Sequence, residues 1–353
     1  MEAEPRAAET AAQPAGTQGE ALPETLGAGS LAAVFREHPD RRYVMFGGKG
    51  GLGKTTFSAA TAFWLAQQGH KVLVFSVDPQ ASLSDIFEKD IFGQGPVKIM
   101  DNLWAQEIDA DRHIAEYQDE IRQKILDMYG LDKVPDEIED YIQAASAEPA
   151  MEESAIFDSV VDIVVGGDFD YYVYDLVPLG HALYYLSMAK VYDEWIGKIT
   201  HLREEMREYE EVVAQLRREK EVEEDQILSE LQYIRERINK ASTILADRVR
   251  TAFFFVLIPE EMVLIDTRKA AQMFAKFNVP IAGYVLNRVL PEELAREGAP
   301  AFLTNRIKMQ ERYLGQIRST LSDQILAQVP EFERDVTGLP MIERTAQILF
   351  REG

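Results

Sequence analysis

The stretch Gly48-Lys49-Gly50-Gly51-Leu52-Gly53-Lys54-Thr55-Thr56 holds the densest chemistry in the chain. It meets the spacing G-x-x-x-x-G-K-[ST], which predicts a phosphate-cradling P-loop when a strand precedes it and a helix follows. Glycines let successive backbone N–H groups turn toward an anion without side-chain clashes, and the helix start adds positive potential. Lys54 is expected to reach the terminal phosphates of a nucleotide, and the Thr55 hydroxyl to ligate Mg. Gly48, Gly50, Gly51, Gly53 and Thr56 complete the candidate phosphate site. A second group lies downstream, where Asp78 opens Asp78-Pro79-Gln80-Ala81-Ser82. A carboxylate there can orient or deprotonate an attacking water beside the metal, although Asp-Pro also makes a plain turn. The expected cofactors are ATP and Mg, and the expected chemistry is hydrolysis.

These groups need a rigid frame. Arg41 to Phe46 reads as a buried strand, Thr55 to Gln68 as a helix closed by Gly69, and Val72 to Val77 as a second strand. The pattern returns at Tyr171 to Tyr174, Phe253 to Ile258 and Ile281 to Leu286. Continuous apolar strands separated by helical stretches predict an α/β fold with a mostly parallel sheet, covered by helices on both faces. Ligands of such sheets bind at the carboxyl ends of the strands. Asp78, Asp175 and Asn287 all stand at such ends.

Between strands, apolar residues recur at Met188, Tyr192, Trp195, Ile199, Leu202, Met206, Tyr209, Val213 and Leu216, in alternating steps of four and three. Ile227, Leu231, Ile234, Ile238, Ala241 and Leu245 repeat the pattern. Two heptad runs around the charged break Lys220 to Asp225 predict an antiparallel helical hairpin over 188–248, inserted in a domain spanning 41–353. A less regular helical insert is expected over about 110 to 145. Residues 1–30, rich in Ala, Glu, Pro, Thr and Gly, read as a disordered tail with a possible tether role.

Composition removes several classes. A net charge of -23 opposes nucleic acid and anionic lipid as main partners. The absence of cysteine excludes disulfides, thiolate metal sites and cysteine nucleophiles. The longest apolar run, Ala252 to Pro259, is far short of the ~20 residues of a membrane span. No basic-then-apolar leader opens the chain, so a cytoplasmic location is expected.

Lys49, near the start of the loop, matches the deviant motif G-K-G-G-x-G-K-[ST]-T of a branch holding partition ATPases, nitrogenase reductase and arsenite-pump ATPases. Asp175-Leu176-Val177-Pro178-Leu179-Gly180-His181 resembles the D-x-x-P-x-G-H segment of the family that joins arsenite-pump ATPases to tail-anchored-protein targeting ATPases. The resemblance spans about 41 to 350 and implies a homodimer in which Lys49 reaches the partner's nucleotide; a merely solvated lysine is the alternative. It implies that Asp175 binds Mg through water and that Gly180-His181 responds to the terminal phosphate, a packed loop histidine being the other reading. It also implies that Glu260 touches the nucleotide, that Asn287 reads adenine and that Pro330 packs on the base. Each of the three could instead be an ordinary turn residue.

Departures from the family pattern shape the rest. The cysteines of the pump's metalloid site and the zinc-binding C-x-x-C of the targeting enzymes are missing, and Ser82 stands where the latter carry Asn. The hairpin is laden with Glu and Arg instead of Met, and its apolar residues are expected to be consumed by its own seam. Two readings follow: an ATPase that handles a protein client through its helical insert, or the ATPase that energises a membrane transporter subunit. A partition-type role is opposed by the charge and by Gly180-His181.

Overall fold

The computed structural model describes residues 30–77, 82–146, 149–175, 193–194, 196–203, 226–276, 279–296, 298–321 and 324–351. Asp78, His181, the tail up to residue 29, and the seam residues Met188, Tyr192, Trp195, Met206, Tyr209, Val213 and Leu216 lie outside them.

Apolar runs at the expected places become strands β1 (Tyr43–Gly47), β2 (Val72–Ser76), β5 (Tyr171–Asp175), β6 (Thr251–Leu257) and β7 (Ile281–Val289). Three strands that the sequence reading lacked join them: β3 (Val97–Met100), β4 (Leu103–Glu107) and β8 (Ile325–Pro330). The sheet runs in the order β3-β4-β2-β5-β1-β6-β7-β8, and only β3–β4 is antiparallel. Every residue of β2, β5 and β6 is buried, as strands covered on both faces require. Phe253, Phe254 and Phe255 put successive rings on opposite faces, Phe254 meeting Phe46 at 5.3 Å and Phe253 meeting Phe274 at 4.3 Å between centroids. Truncating a ring so buried costs about 3–5 kcal/mol.

The order of strands fixes the position of the site. From β1 the chain crosses β5 to reach β2 on one side, while β6, β7 and β8 extend on the other. β1 therefore ends at the switch point of the sheet, where a crevice opens beyond the strand ends. Asp175 is level there with Phe46 on β1 and with Ser76 on β2.

Helix α1 (Leu31–Glu37) precedes the domain start read from sequence. Ser30 caps it by accepting from Ala32 N, and Leu31 and Phe35 enter the core. Phe35 lies 5.7 Å from Trp64 on α2 (Lys54–Gln67), and Trp64 stacks on Phe350 at 4.1 Å. Arg41 is buried, donating to the carbonyls of Val34 and Arg248, and burial pulls its pKa below the usual value. The short helix α3 (Ser82–Phe87) follows β2.

A helical layer leaves the sheet after β4: α4 (Ala110–Tyr129), α5 (Asp136–Ser146) and α6 (Pro149–Gly166). Asp109 caps α4, Gly130 ends it in left-handed conformation, and Arg122 grips Glu139 of α5 with bonds of 2.6 to 3.1 Å. This layer runs past the expected limit near 145. Within the stretch expected to form the hairpin, residues 196–203 are helical and α7 (Gln226–Ala246) covers the second heptad run. Asp193 joins the two by accepting from Arg235 at 2.7 Å and Asn239 at 3.0 Å. Ile238 and Ala241 of the second heptad run are buried, but Leu202 of the first is 62% exposed, so the seam leaves that residue uncovered. Helices α8 (Glu261–Lys276), α9 (Ala301–Leu321) and α10 (Gly338–Leu349) complete the α/β architecture, α10 packing on α2. Among the described residues, no helix is long and apolar enough to cross a membrane.

Candidate active site

The loop between β1 and α2 has the conformation that its glycines allow. Gly48 and Gly53 have φ of +152° and +96°, in the left-handed half of backbone space. Their surroundings also demand glycine: a Cβ at Gly48 would lie 2.9 Å from the carbonyl oxygen of Val256, and one at Gly53 only 2.5 Å from Nδ2 of Asn287. Positions 50 and 51 face open space. The curled backbone, the open side and the start of α2 fit a bound polyphosphate. Thr55 and Thr56 occupy the first turn of α2, partly buried.

Two lysines leave this loop differently. Lys54 is buried, and its Nζ folds back to donate to the carbonyl of Lys49 at 3.3 Å. Lys49 extends outward to Asp266 on α8, Nζ to Oδ2 at 3.6 Å, with both side chains substantially exposed. Asp266 has no signal in the sequence reading, because its link to the loop exists only once α8 packs beside β6.

Asp175 is buried at the end of β5 and accepts from Ser58 Oγ at 3.4 Å. Ser58 stands one helical turn after Thr55, so Asp175 lies against the same helix face that presents the Thr55 hydroxyl. Strand pairing puts Asp175 level with Phe46, two residues before the P-loop begins at Gly48.

Glu107 closes this side of the site, a residue that sequence reasoning missed. Its carboxylate is buried at the end of β4 and takes Leu83 N at 2.6 Å and Ser84 N at 3.3 Å, with Ser84 Oγ as a third donor. It thereby satisfies free N–H groups in the first turn of α3. The next residue donates as well, Ile108 N to Ser76 O at 2.9 Å. The end of β4 thus grips the chain on both flanks of the segment that contains Asp78. A carboxylate at a strand end was the available signal, the same one that singled out Asp175. Ser82 Oγ is buried without a partner among the described residues.

The nucleoside-side candidates gather at the far half of the crevice. Asn287, buried near the end of β7, donates from Nδ2 to the carbonyl of Leu52 at 2.8 Å. Its amide thus braces the P-loop, a role that the sequence did not reveal. Pro330 ends β8 level with Val289, two residues beyond Asn287. Glu260 follows β6 and pairs with Arg306 of α9 at 3.2 Å. Glu260, Arg288, Glu331 and α9 line a cavity of about 320 Å³ at these strand ends.

Comparison with known proteins agrees with this geometry. Residues 41–351 match the model of the family described as anion-transporting ATPase. The chain is similar to the putative arsenical pump-driving ATPase 2 of Aquifex aeolicus, 31% identical over 87% of this chain and 99% of that protein. It is also similar to ATPase GET3C of Arabidopsis thaliana, 30% identical over 88% of this chain and 83% of the relative. ATPase ASNA1 homolog 2 of Paramecium tetraurelia is 27% identical over 89% and 95% respectively.

Proposed function

The chain belongs to the anion-transporting ATPase family and is an ATPase, and we propose that it hydrolyses Mg-bound ATP so as to couple closing and opening of a homodimer to the handling of a protein client. Gly48, Gly50, Gly51, Gly53, Lys54, Thr55 and Thr56 hold the phosphates. Thr55, Asp78 and Asp175 would hold the metal, which would supply positive charge to offset that of the phosphates. Asp78 orients the water that attacks the terminal phosphorus and takes its proton, while the bond from that phosphorus to the bridging oxygen breaks and ADP leaves with that oxygen and the electron pair. Glu260, Asn287 and Pro330 border the nucleoside.

The observation that carries this reading is the divergence of the two lysines. Lys54 is folded into its own loop, whereas Lys49 reaches outward to an exposed carboxylate that a competing partner can replace. A second copy facing the loop gives that ammonium a phosphate on which charge develops in the transition state. Apolar surface on the helical insert, Leu202 at 62% and Tyr233 at 56% exposed, supports a protein client, and the acidic net charge opposes nucleic acid as a partner.

A second reading is the soluble motor of a membrane transporter, supported by likeness to a protein named for driving an arsenical pump. Cysteine-based metalloid sensing has no place in it, because the chain has no cysteine. Purifying an Asp78→Asn form with ATP from the native host separates the two. A mixture of single-span proteins is the expected companion, and one stoichiometric multi-span protein would replace the first reading by the second.

A further inference from the structure

Helix α9 lines one cavity together with residues at the carboxyl ends of β6, β7 and β8, and it sets one buried amide against the chain leaving β7. Gln310, 5% exposed, uses both ends of its side chain on a single residue: Oε1 accepts from Leu290 N at 2.8 Å and Nε2 donates to Leu290 O at 2.8 Å. A pair of bonds of this kind fixes direction as well as distance.

The chain held in this way is irregular just upstream. Pairing between β7 and β8 shifts between Leu286 and Val289, and Arg288 takes a left-handed φ of +53°. A bulge re-aims the side chains at its position. An arginine in left-handed backbone persists only where its surroundings over-determine it. Here the bulge turns Asn287 onto the P-loop carbonyl of Leu52 and puts Arg288 on the rim of the strand-end cavity. Beyond it, Glu331 N donates to Val289 O at 3.1 Å and Gln310 clamps Leu290.

We propose that Gln310 is a positioning residue for nucleotide binding: by clamping Leu290 it holds the strained bulge at Asn287 and Arg288, and through Asn287 it sets the P-loop and the nucleoside edge together. This rests on the reading of Asn287 and Pro330 as that edge. Gln310 itself touches neither the P-loop nor, in this proposal, the nucleotide. Its effect travels through the backbone from Leu290 to Asn287.

Binding of fluorescent ATP and GTP analogues to the full chain tests it, with thermal melts as the check on folding. Gln310→Leu removes both bonds and is expected to weaken ATP binding about tenfold, while Gln310→Glu, which keeps an acceptor for Leu290 N, loses less. Arg288→Gly relieves the left-handed residue, so Gln310→Leu in an Arg288→Gly background is expected to lose at most about threefold relative to Arg288→Gly alone. Normal ATP affinity in both Gln310 variants overturns the proposal. So does an undiminished loss in the Arg288→Gly background, which would mark Gln310 as a staple of the loop to α9 only. If Gln310→Leu does not fold, Gln310→Glu alone and with Arg288→Gly decides by the same outcomes. Asn287→Ala reports on the reading beneath: if it keeps wild-type ATP affinity and ATP-over-GTP preference while the Gln310 variants do not, the nucleoside-edge reading falls, and with it the route from Gln310 through Asn287.

Discussion

The side-chain amide of Asn287 donates to the backbone carbonyl of Leu52 across 2.8 Å, joining residues 235 positions apart in sequence. Strand β7 and the P-loop meet at this bond, so the two halves of the nucleotide crevice share a fixed distance. The same amide leaves no room for a side chain at Gly53, where a Cβ would lie 2.5 Å from Nδ2.

Asn287→Ala leaves the Leu52 carbonyl without its donor and removes the candidate base contact. ATP affinity is expected to fall by about 1–3 kcal/mol, measured calorimetrically. Gly53→Ala adds a clash to a backbone at φ +96° and is expected both to weaken binding further and to lower the melting temperature. Equal affinity of the wild-type chain for ATP and GTP would remove adenine reading from Asn287 and leave only its brace.

Asp78 and Lys49 are expected to act in one site from two chains. Asp78→Asn should bind ATP and lose at least about 100-fold in turnover. Lys49→Ala should likewise bind and hydrolyse poorly. Mixing the two variants restores some activity if Lys49 acts across an interface, because one site then keeps Asp78 and receives an intact lysine. A mixture that stays inactive, with subunit exchange shown directly, places Lys49 in its own site.

Glu107→Gln swaps one acceptor oxygen for an NH2 group among three donors, Leu83 N, Ser84 N and Ser84 Oγ. The mismatch in a buried setting is expected to cost about 1–3 kcal/mol in urea unfolding. Turnover is expected to fall with it, because α3 begins four residues after Asp78. Ser84→Ala, which deletes a single donor, should cost less. Equal stability of Glu107→Gln and wild type would show that these bonds are not made in solution.

The root of the helical arm is expected to weaken in acid. Hydrogen bonds from Arg235 and Asn239 hold the Asp193 carboxyl below its usual range. A carboxyl depressed in the folded state stabilises fully above its unfolded value near pH ~3.9 and loses that contribution as pH falls through the lower folded value. Asp193→Ala should therefore be less stable than wild type at pH 6, and the gap should close below about pH 4. A gap that stays constant down to pH 2.5 would mean that the ion pair contributes nothing and the variant acts through packing.

The P-loop and the apolar strands were legible in the sequence because both depend on near neighbours. Glycine spacing fixes a local turn, and an unbroken run such as Phe253-Phe254-Phe255 must be covered on both faces wherever it lies. Strand ends pointed to Asp175 by the same logic, and pairing of β5 with β1 put it beside the loop. The short β3 and β4, their apolar residues broken up by Lys98 or cut off by Gln106 and Glu107, gave no such run, and α1 was hidden next to the tail. What sequence could not supply was partnership between distant residues: Asn287 with Leu52, Glu107 with α3, Lys49 with Asp266, Gln310 with Leu290. Each is a directional contact a few ångströms long whose two ends converge only after the sheet orders its strands. Residue type announces that a buried amide or carboxylate needs partners, and the tertiary structure alone decides which groups those partners are.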